Sequence, residues 1–304
     1  MSVYTRQFNN DEDYTHMRRL LVDTLGRTGL PVYATIGDID WWRAADEDPK
    51  AVYKTYLWFD GERPVAWAWP VDDQVDIAVH PDFPDLHQDI LAWAEDEYRR
   101  RQGEFPEKPM RAWGFSGDAV RNAALTARGY RRTGGGLVFY TRPVIAPTAL
   151  SRLPDGYRFD HVRGEADVAR RTAVQRAAFE SDFMTEAKTR AVQASPTYRP
   201  ELDLVIVAPD DSFAAFALIW LDETNRVGVF EPLGVAAAHQ RRGLGRAIMD
   251  EGVRRLGLLG AEVACVQTGI DHTTGRALYE ASGFTELDRD YAWIRPPDID
   301  GIID

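Results

Sequence analysis

The sequence predicts an α+β protein built as two consecutive domains of one design, each a mixed β-sheet flanked by helices. Three observations carry that prediction. Hydrophobic periodicity alternates between a two-residue and a 3.6-residue repeat along the 304 residues. The same order of segments occurs twice. Between the two occurrences, Thr141–Gly156 carries Pro143, Pro147 and Pro154 among few large apolar residues and reads as a linker. The expected domains are residues 1–147 and 148–304.

In the first half, Asp11–Leu25 sets Tyr14, Met17, Leu21 and Leu25 at helical spacing behind an acidic start. Gly26–Gly37 is loop-like, and Trp41-Trp42 opens a short second helix. Val52–Phe59 and Pro64–Trp69 are rich in β-branched and aromatic residues and meet at Asp60-Gly61, a hairpin signal. Gln74–His80 is a third strand, Asp85–Gln102 an amphipathic helix, Met110–Phe115 a strand, Asp118–Arg128 a helix stopped by Gly129, and Leu137–Arg142 a strand.

The second half follows suit. Tyr157–Val162 reads as a strand, and Val168–Phe179 and Lys188–Gln193 as helices. Leu204–Val207 and Phe213–Trp220 form a hairpin turning at Pro209-Asp210-Asp211. Val227–Val235 is the next strand, followed by a helix at Arg246–Leu259, a strand at Glu262–Thr268, a helix at Thr273–Ser282 ended by Gly283, and a strand at Asp290–Arg295. Val79 precedes Val235 by 156 residues (235 − 79) and Gly129 precedes Gly283 by 154 (283 − 129), so order and spacing together imply an internal duplication.

Composition narrows the function classes. The chain is 44% hydrophobic and 28% charged with a net charge of −12, the acid lying in both halves, which is no nucleic-acid footprint. No run approaches the roughly 20 apolar residues of a membrane helix and the first residues lack an apolar signal core, so a cytoplasmic protein with no membrane partner is expected. The single cysteine, Cys265, stands in an apolar run and reads as a buried strand thiol. The histidines have no metal-ligand spacing, and no metal is expected.

One stretch carries chemistry. Gly243 and Gly245 offer no side chain to an approaching ligand, the helix that follows supplies unpaired N-terminal amides and the positive end of its dipole, and Arg241, Arg242 and Arg246 add positive charge to an acidic chain. That order suits a diphosphate. Glu231 stands just upstream in an apolar strand, directly before Pro232, which removes a ladder donor and is tolerated only at edges or bulges. A carboxylate so placed is either a base or amine anchor raised in pKa by apolar neighbours, or half of a structural ion pair with an arginine.

Gln240-Arg241-Arg242-Gly243-Leu244-Gly245 resembles the acetyl-CoA pyrophosphate loop of the GCN5-related N-acetyltransferase (GNAT) superfamily. Ala277-Leu278-Tyr279-Glu280 followed by Gly283-Phe284 resembles that family's second signature. The resemblance covers residues ~155–295, and the element order extends it to the first half, as in tandem members such as mycothiol synthase. It implies two tandem GNAT-like domains and acetyl-CoA as cosubstrate. It also implies that backbone groups of Leu233, Gly234, Val235 and Ala236 pair with the pantetheine arm, and that Gln240 and the amides from Arg241 to Arg246 hold the pyrophosphate. Tyr279 matches the tyrosine that protonates the departing thiolate; a phenol, with a reference pKa of ~10, is protonated at neutral pH and ready to donate. Its other reading is a core ring. Glu231 would then take the proton of a small-molecule amine acceptor at the mouth of the cleft.

The departures are as specific as the matches. His272 stands where the family has an asparagine, still able to contact the cofactor by hydrogen bond, and Gly275 replaces an alanine. In the first half the positions equivalent to Gln240, Gly243 and Gly245 are Pro84, His87 and Asp89, and Leu125 corresponds to Tyr279, so that half lacks both loop and acid. Its expected work is structural, or forming one wall of the acceptor pocket with Tyr33, Trp41, Trp42, Trp67 and Trp69. The alternative to an N-acetyltransferase is a non-catalytic acyl-CoA-binding sensor. Neither the acceptor's identity nor the oligomeric state is encoded legibly.

Overall fold

The computed structural model describes residues 3–29, 33–48, 50–101, 108–145 and 151–295. The first half runs β1 (Val3–Gln7), α1 (Asp11–Thr28), α2 (Ile36–Ala45), β2 (Tyr56–Asp60), β3 (Arg63–Val71), β4 (Gln74–Val79), α3 (Leu86–Arg101), β5 (Met110–Phe115), α4 (Ala119–Ala127) and β6 (Arg131–Pro143). The second runs β7 (Arg158–His161), α5 (Val168–Phe179), α6 (Glu186–Gln193), β8 (Asp203–Val207), β9 (Phe213–Asp222), β10 (Val227–Val235), α7 (Leu244–Leu258), β11 (Val263–Gly269), α8 (Thr273–Ala281) and β12 (Thr285–Arg295). Both halves therefore have the order βααβββαβαβ.

The described residues fall into two compact units. One takes the segments up to Ala34, Asp48–Val138 and those from Asp288, and the other takes Thr35–Glu47 and Phe139–Leu287. Helix α2, encoded in the first half, is thus part of the second unit. The expected boundary at residues 147 and 148 lies outside the described residues.

In the first unit the sheet runs β1-β2-β3-β4-β5, with β12 antiparallel on β5 from Asp290↔Phe115 to Arg295↔Met110. One face buries Ile77, Met110 and Ala112 against Ile90, Leu91 and Ala94 of α3 and Leu125 of α4. Strand β4 runs parallel to β5, joined at Gln74↔Arg111. Farther along, Arg121 of α4, a buried arginine, donates from Nη1 to the Ile77 carbonyl at 2.8 Å. Strand β1 was not expected, because Val-Tyr-Thr-Arg-Gln is a short edge strand with four of its five residues exposed or charged. The expected strand start at Val52 is instead a 3-10 turn, Ala51–Lys54.

The second unit centres on β9, all ten residues of which are buried. Its continuous apolar run, rather than an alternating one, reflects cover on both faces. The order is β7-β8-β9-β10-β11, with β6 beside β11. Helix α2 starts earlier than Trp41-Trp42 suggested. Thr35 and Asp38 form a reciprocal capping box, which converts the end of the expected loop into the first helical turn.

Candidate active site

The site begins where β10 breaks. Through Phe230↔Val266 it pairs parallel with β11, while on its other side the register with β9 shifts between Phe230 and Leu233. Glu231 and Pro232 occupy that shift. Beyond it, Leu233–Val235 stay paired with β9 but have no register with β11, so their outward amide and carbonyl groups face the gap between the strands. The break is held from beneath by Trp220, whose indole N–H donates to the Glu231 carbonyl at 2.6 Å. At Gly234, an added Cβ would come within 2.8 Å of Ala178 Cβ, so α5 packs directly on the strand.

The basic loop follows. Gly243 is the N-cap of α7 in the left-handed conformation (φ 79°), and no side chain caps the helix, which leaves its first amides open. Arg241 is left-handed too, with φ 59°. Arg241, Arg242 and Arg246 are exposed around this end, and Arg242 Nη1 donates to the Tyr157 hydroxyl at 3.3 Å. Gln240 Nε2 donates to the Val235 carbonyl at 3.3 Å, tying the loop back to β10. Gly245 serves packing: a Cβ there would lie 3.1 Å from Leu278 of α8. Leu244 is buried beneath the loop.

Two groups of contrasting chemistry lie within electrostatic reach of each other here. Glu231 is half-exposed on its strand, yet it is hemmed in densely enough that desolvation pushes its carboxyl well above the ordinary range; the negative charge of Asp38 pushes the same way, and a hydrogen bond from Gln267 Nε2 at 3.1 Å opposes it. No arginine pairs with it among the described residues. Tyr279 is buried, its ring edge-on to Tyr140 with centroids 5.8 Å apart. Burial raises its phenol above 10, and the charge of Glu231 raises it further, which places the two groups within electrostatic reach.

His272 precedes α8 without capping it, and its Nδ1 lies 2.8 Å from Thr268 Oγ1. The two departures in this motif are coupled. A Cβ on Gly275 would stand 2.6 Å from His272 Nδ1, so the glycine makes room for the imidazole. Cys265 is buried, and burial pushes its thiol up to about 12, which keeps it protonated and a poor nucleophile.

The five aromatics offered as an acceptor wall are not one group. Trp67 and Trp69 are fully buried in the first unit, and Tyr33 there bonds Asp76; Trp41 packs with Val192, Leu218 and Trp220 in the second. Sequence reasoning missed Asp38, Gln267 and Trp220. Thr35-Ile-Gly-Asp38 was visible as a capping pattern, but nothing local connects it to Glu231.

A strand that parts from its parallel neighbour, an uncapped helix behind a glycine loop, and a carboxyl and a phenol within electrostatic reach of each other make up the site. Residues 172–284 match the acetyltransferase (GNAT) family. The match takes in just over a third of the chain, the segment that holds the glycine loop and Tyr279. The chain is 28% identical over 62% of its length to a mycothiol acetyltransferase of Geodermatophilus obscurus, covering 64% of that protein, and 31% identical over 62% to one of Kineococcus radiotolerans, covering 63%. The chain thus spans less than two thirds of the curated relatives it matches. Its fold is similar over 97% of the chain to a tandem GNAT protein from the clavulanic acid biosynthesis pathway (TM-score 0.68, 15% identity, 98% of that chain). It is also similar over 97% to a GCN5-related N-acetyltransferase from Sphaerobacter thermophilus (TM-score 0.67, 17% identity, 95% of that chain). Among the described residues no helix is long and apolar enough to cross a membrane, and no group of three or more His, Cys, Asp or Glu residues is placed to hold a metal ion.

Proposed function

We propose that the second half, residues 148–304, transfers an acetyl group from acetyl-CoA to a primary amine of a small molecule by direct attack. The observation that carries this reading is the divergence of β10 from β11 at Glu231, which opens a gap flanked by one proton acceptor and one proton donor. The residues present fit the cosubstrate. The segment Leu233–Ala236, beyond the end of the β11 register, offers a strand edge for an amide-bearing arm, with Gln240 on the Val235 carbonyl, while the open amides of α7, with Gln240, Arg241, Arg242 and Arg246, suit the pyrophosphate. His272, at the start of α8, is positioned by Thr268 for a contact with the same ligand.

The proton accounting is closed. The acceptor arrives as an ammonium and gives a proton to Glu231. Its nitrogen then bonds the thioester carbon, the carbon–sulfur bond breaks as Tyr279 gives its proton to sulfur, and the second proton of the acylated nitrogen restores the Tyr279 phenol, so that the one net proton, on Glu231, passes to solvent. The two proton transfers assist each other. Ionised Glu231 holds the Tyr279 proton more tightly, so protonating Glu231 removes that charge and makes the phenol a better acid when the leaving group needs it. Holding amine and thioester in one gap supplies the larger share of the rate.

The first half contributes no second cofactor site in this reading. Pro84 precedes α3, and His87 and Asp89 lie in its first turn in place of glycines. The test is release of free thiol from acetyl-CoA by the purified protein over amino sugars, polyamines, amino acids and short peptides. Amine-dependent release supports the assignment. Acyl-CoA binding with no release across the panel would point instead to a sensor.

A further inference from the structure

Helix α2 brings a second carboxyl to the site. Its N-terminus is seated on β9: Gly37 lies so close to Trp220 that a Cβ would stand 2.3 Å from the indole Cγ, and the same indole donates to the Glu231 carbonyl. The next residue, Asp38, is 4% exposed. Its Oδ2 is engaged in the capping box, accepting from Thr35 N at 2.5 Å and Thr35 Oγ1 at 2.8 Å. Its Oδ1 is buried without a hydrogen-bond partner. An orphaned buried carboxylate oxygen is costly unless something answers it.

We propose that Asp38 is a positioning residue for the transfer, its free Oδ1 facing Glu231 so that the two carboxyls hold one proton between them. The proposal rests on the assignment of Glu231 as the base. A lone carboxylate, with an ordinary pKa near 4.5, is a poor match for an ammonium. Beside a second negative charge that cannot move away, it binds a proton more tightly and becomes a stronger base. The capping box fixes that charge, because Oδ2 keeps its two donors from Thr35 whatever Glu231 does.

Groups from every element around the pair agree. From β11, Gln267 donates to Glu231 Oε2 and so leaves Oε1 for the partner, and the Cys265 thiol is held protonated in part by the charge of Asp38. From α8, Tyr279 feels Glu231. From β9, Trp220 engages only the Glu231 backbone. Among the described residues no cation acts on Glu231, so the shared proton is the charge balance until the acceptor's ammonium arrives. As the ammonium takes over the charge balance the shared proton leaves to solvent, and the ionised pair then takes a proton from the ammonium onto Glu231, freeing the amine nitrogen for attack. Nothing else is consumed.

The test is a pH titration of carboxyl 13C resonances in the full chain without substrate, with Glu231 assigned by loss of its signal in Glu231→Gln. Glu231 should titrate well above the ordinary carboxylate range in the wild type. Asp38→Asn, which keeps an oxygen for Thr35, should move that titration down by about one pH unit or more, and Asp38→Glu should restore it. The acid limb of kcat/KM should move down in Asp38→Asn by the same amount, a shift that a purely structural role would not produce. An ordinary wild-type titration for Glu231 overturns the proposal even if Asp38→Asn does not fold, and so does a titration unaffected by Asp38→Asn. A downward shift of the titration with no amine-dependent turnover in any protein would leave the pair standing and sink the base assignment instead.

Discussion

Gly243→Ala isolates the backbone's share of cosubstrate binding. A methyl group at this position meets nothing within 4 Å, so no clash confuses the result, and the cost is confined to holding an L-residue at φ 79°. That cost is about 1 kcal/mol. Without ligand the loop can relax and recover part of it. With the pyrophosphate on the α7 amides the left-handed turn is required, so the penalty falls on binding and weakens the Kd by about fivefold. Gly243→Asn should lose less, about twofold, because asparagine tolerates this conformation. Isothermal titration with acetyl-CoA at fixed salt, with thermal unfolding of the apo-proteins alongside, separates the two effects. Equal affinities for wild type and Gly243→Ala would refute the assignment of this turn to the ligand, and equal large losses for Ala and Asn would show that the space above Gly243, not its conformation, matters.

Other consequences follow from the same geometry. Tyr279→Phe keeps the ring contacts with Tyr140 and should fold normally while lowering kcat by about 10²–10⁴-fold; full turnover would remove the acid. Restoring a side chain at position 275 should be tolerated only with a smaller partner: Gly275→Ala lowers the melting temperature, and His272→Ala rescues it, whereas independent, additive effects would deny their coupling. In the first unit, burial raises Asp290 to about 7 and Asp76 to about 6 from 3.8. A carboxyl raised in this way contributes its full stability below the unfolded pKa and loses it as pH climbs to the folded value. Asp290→Asn should therefore gain in urea midpoint over the wild type between pH 4 and pH 7, and a constant difference would contradict the burial account.

The sequence was most legible where one face of an element decides its state. Val227–Val235 and Val168–Phe179 have the expected limits, because an apolar strand between turns and a helix closed by the left-handed Glu180 are locally determined. The glycine loop and Tyr279 were legible as motifs, and Glu231 by its conflict with an apolar, proline-broken strand. The exchange of α2 into the second unit was not legible, since its few residues carry no address for the strand they cover. Asp38 shows why: its local pattern specifies a helix cap, and only the fold reveals that one oxygen of that cap is buried without a partner. Trp67 and Trp69 mislead in the opposite direction, since an alternating pair of large aromatics reads equally as pocket wall or core, and here the core prevails.

A crystal structure with bound acetyl-CoA tests the central claim most directly. The account predicts the pyrophosphate on the α7 amides behind Gly243, the pantetheine arm along Leu233–Ala236, and the thioester sulfur within about 3 Å of the Tyr279 hydroxyl. A pyrophosphate bound elsewhere, or a thioester lying away from both Tyr279 and Glu231, would contradict it.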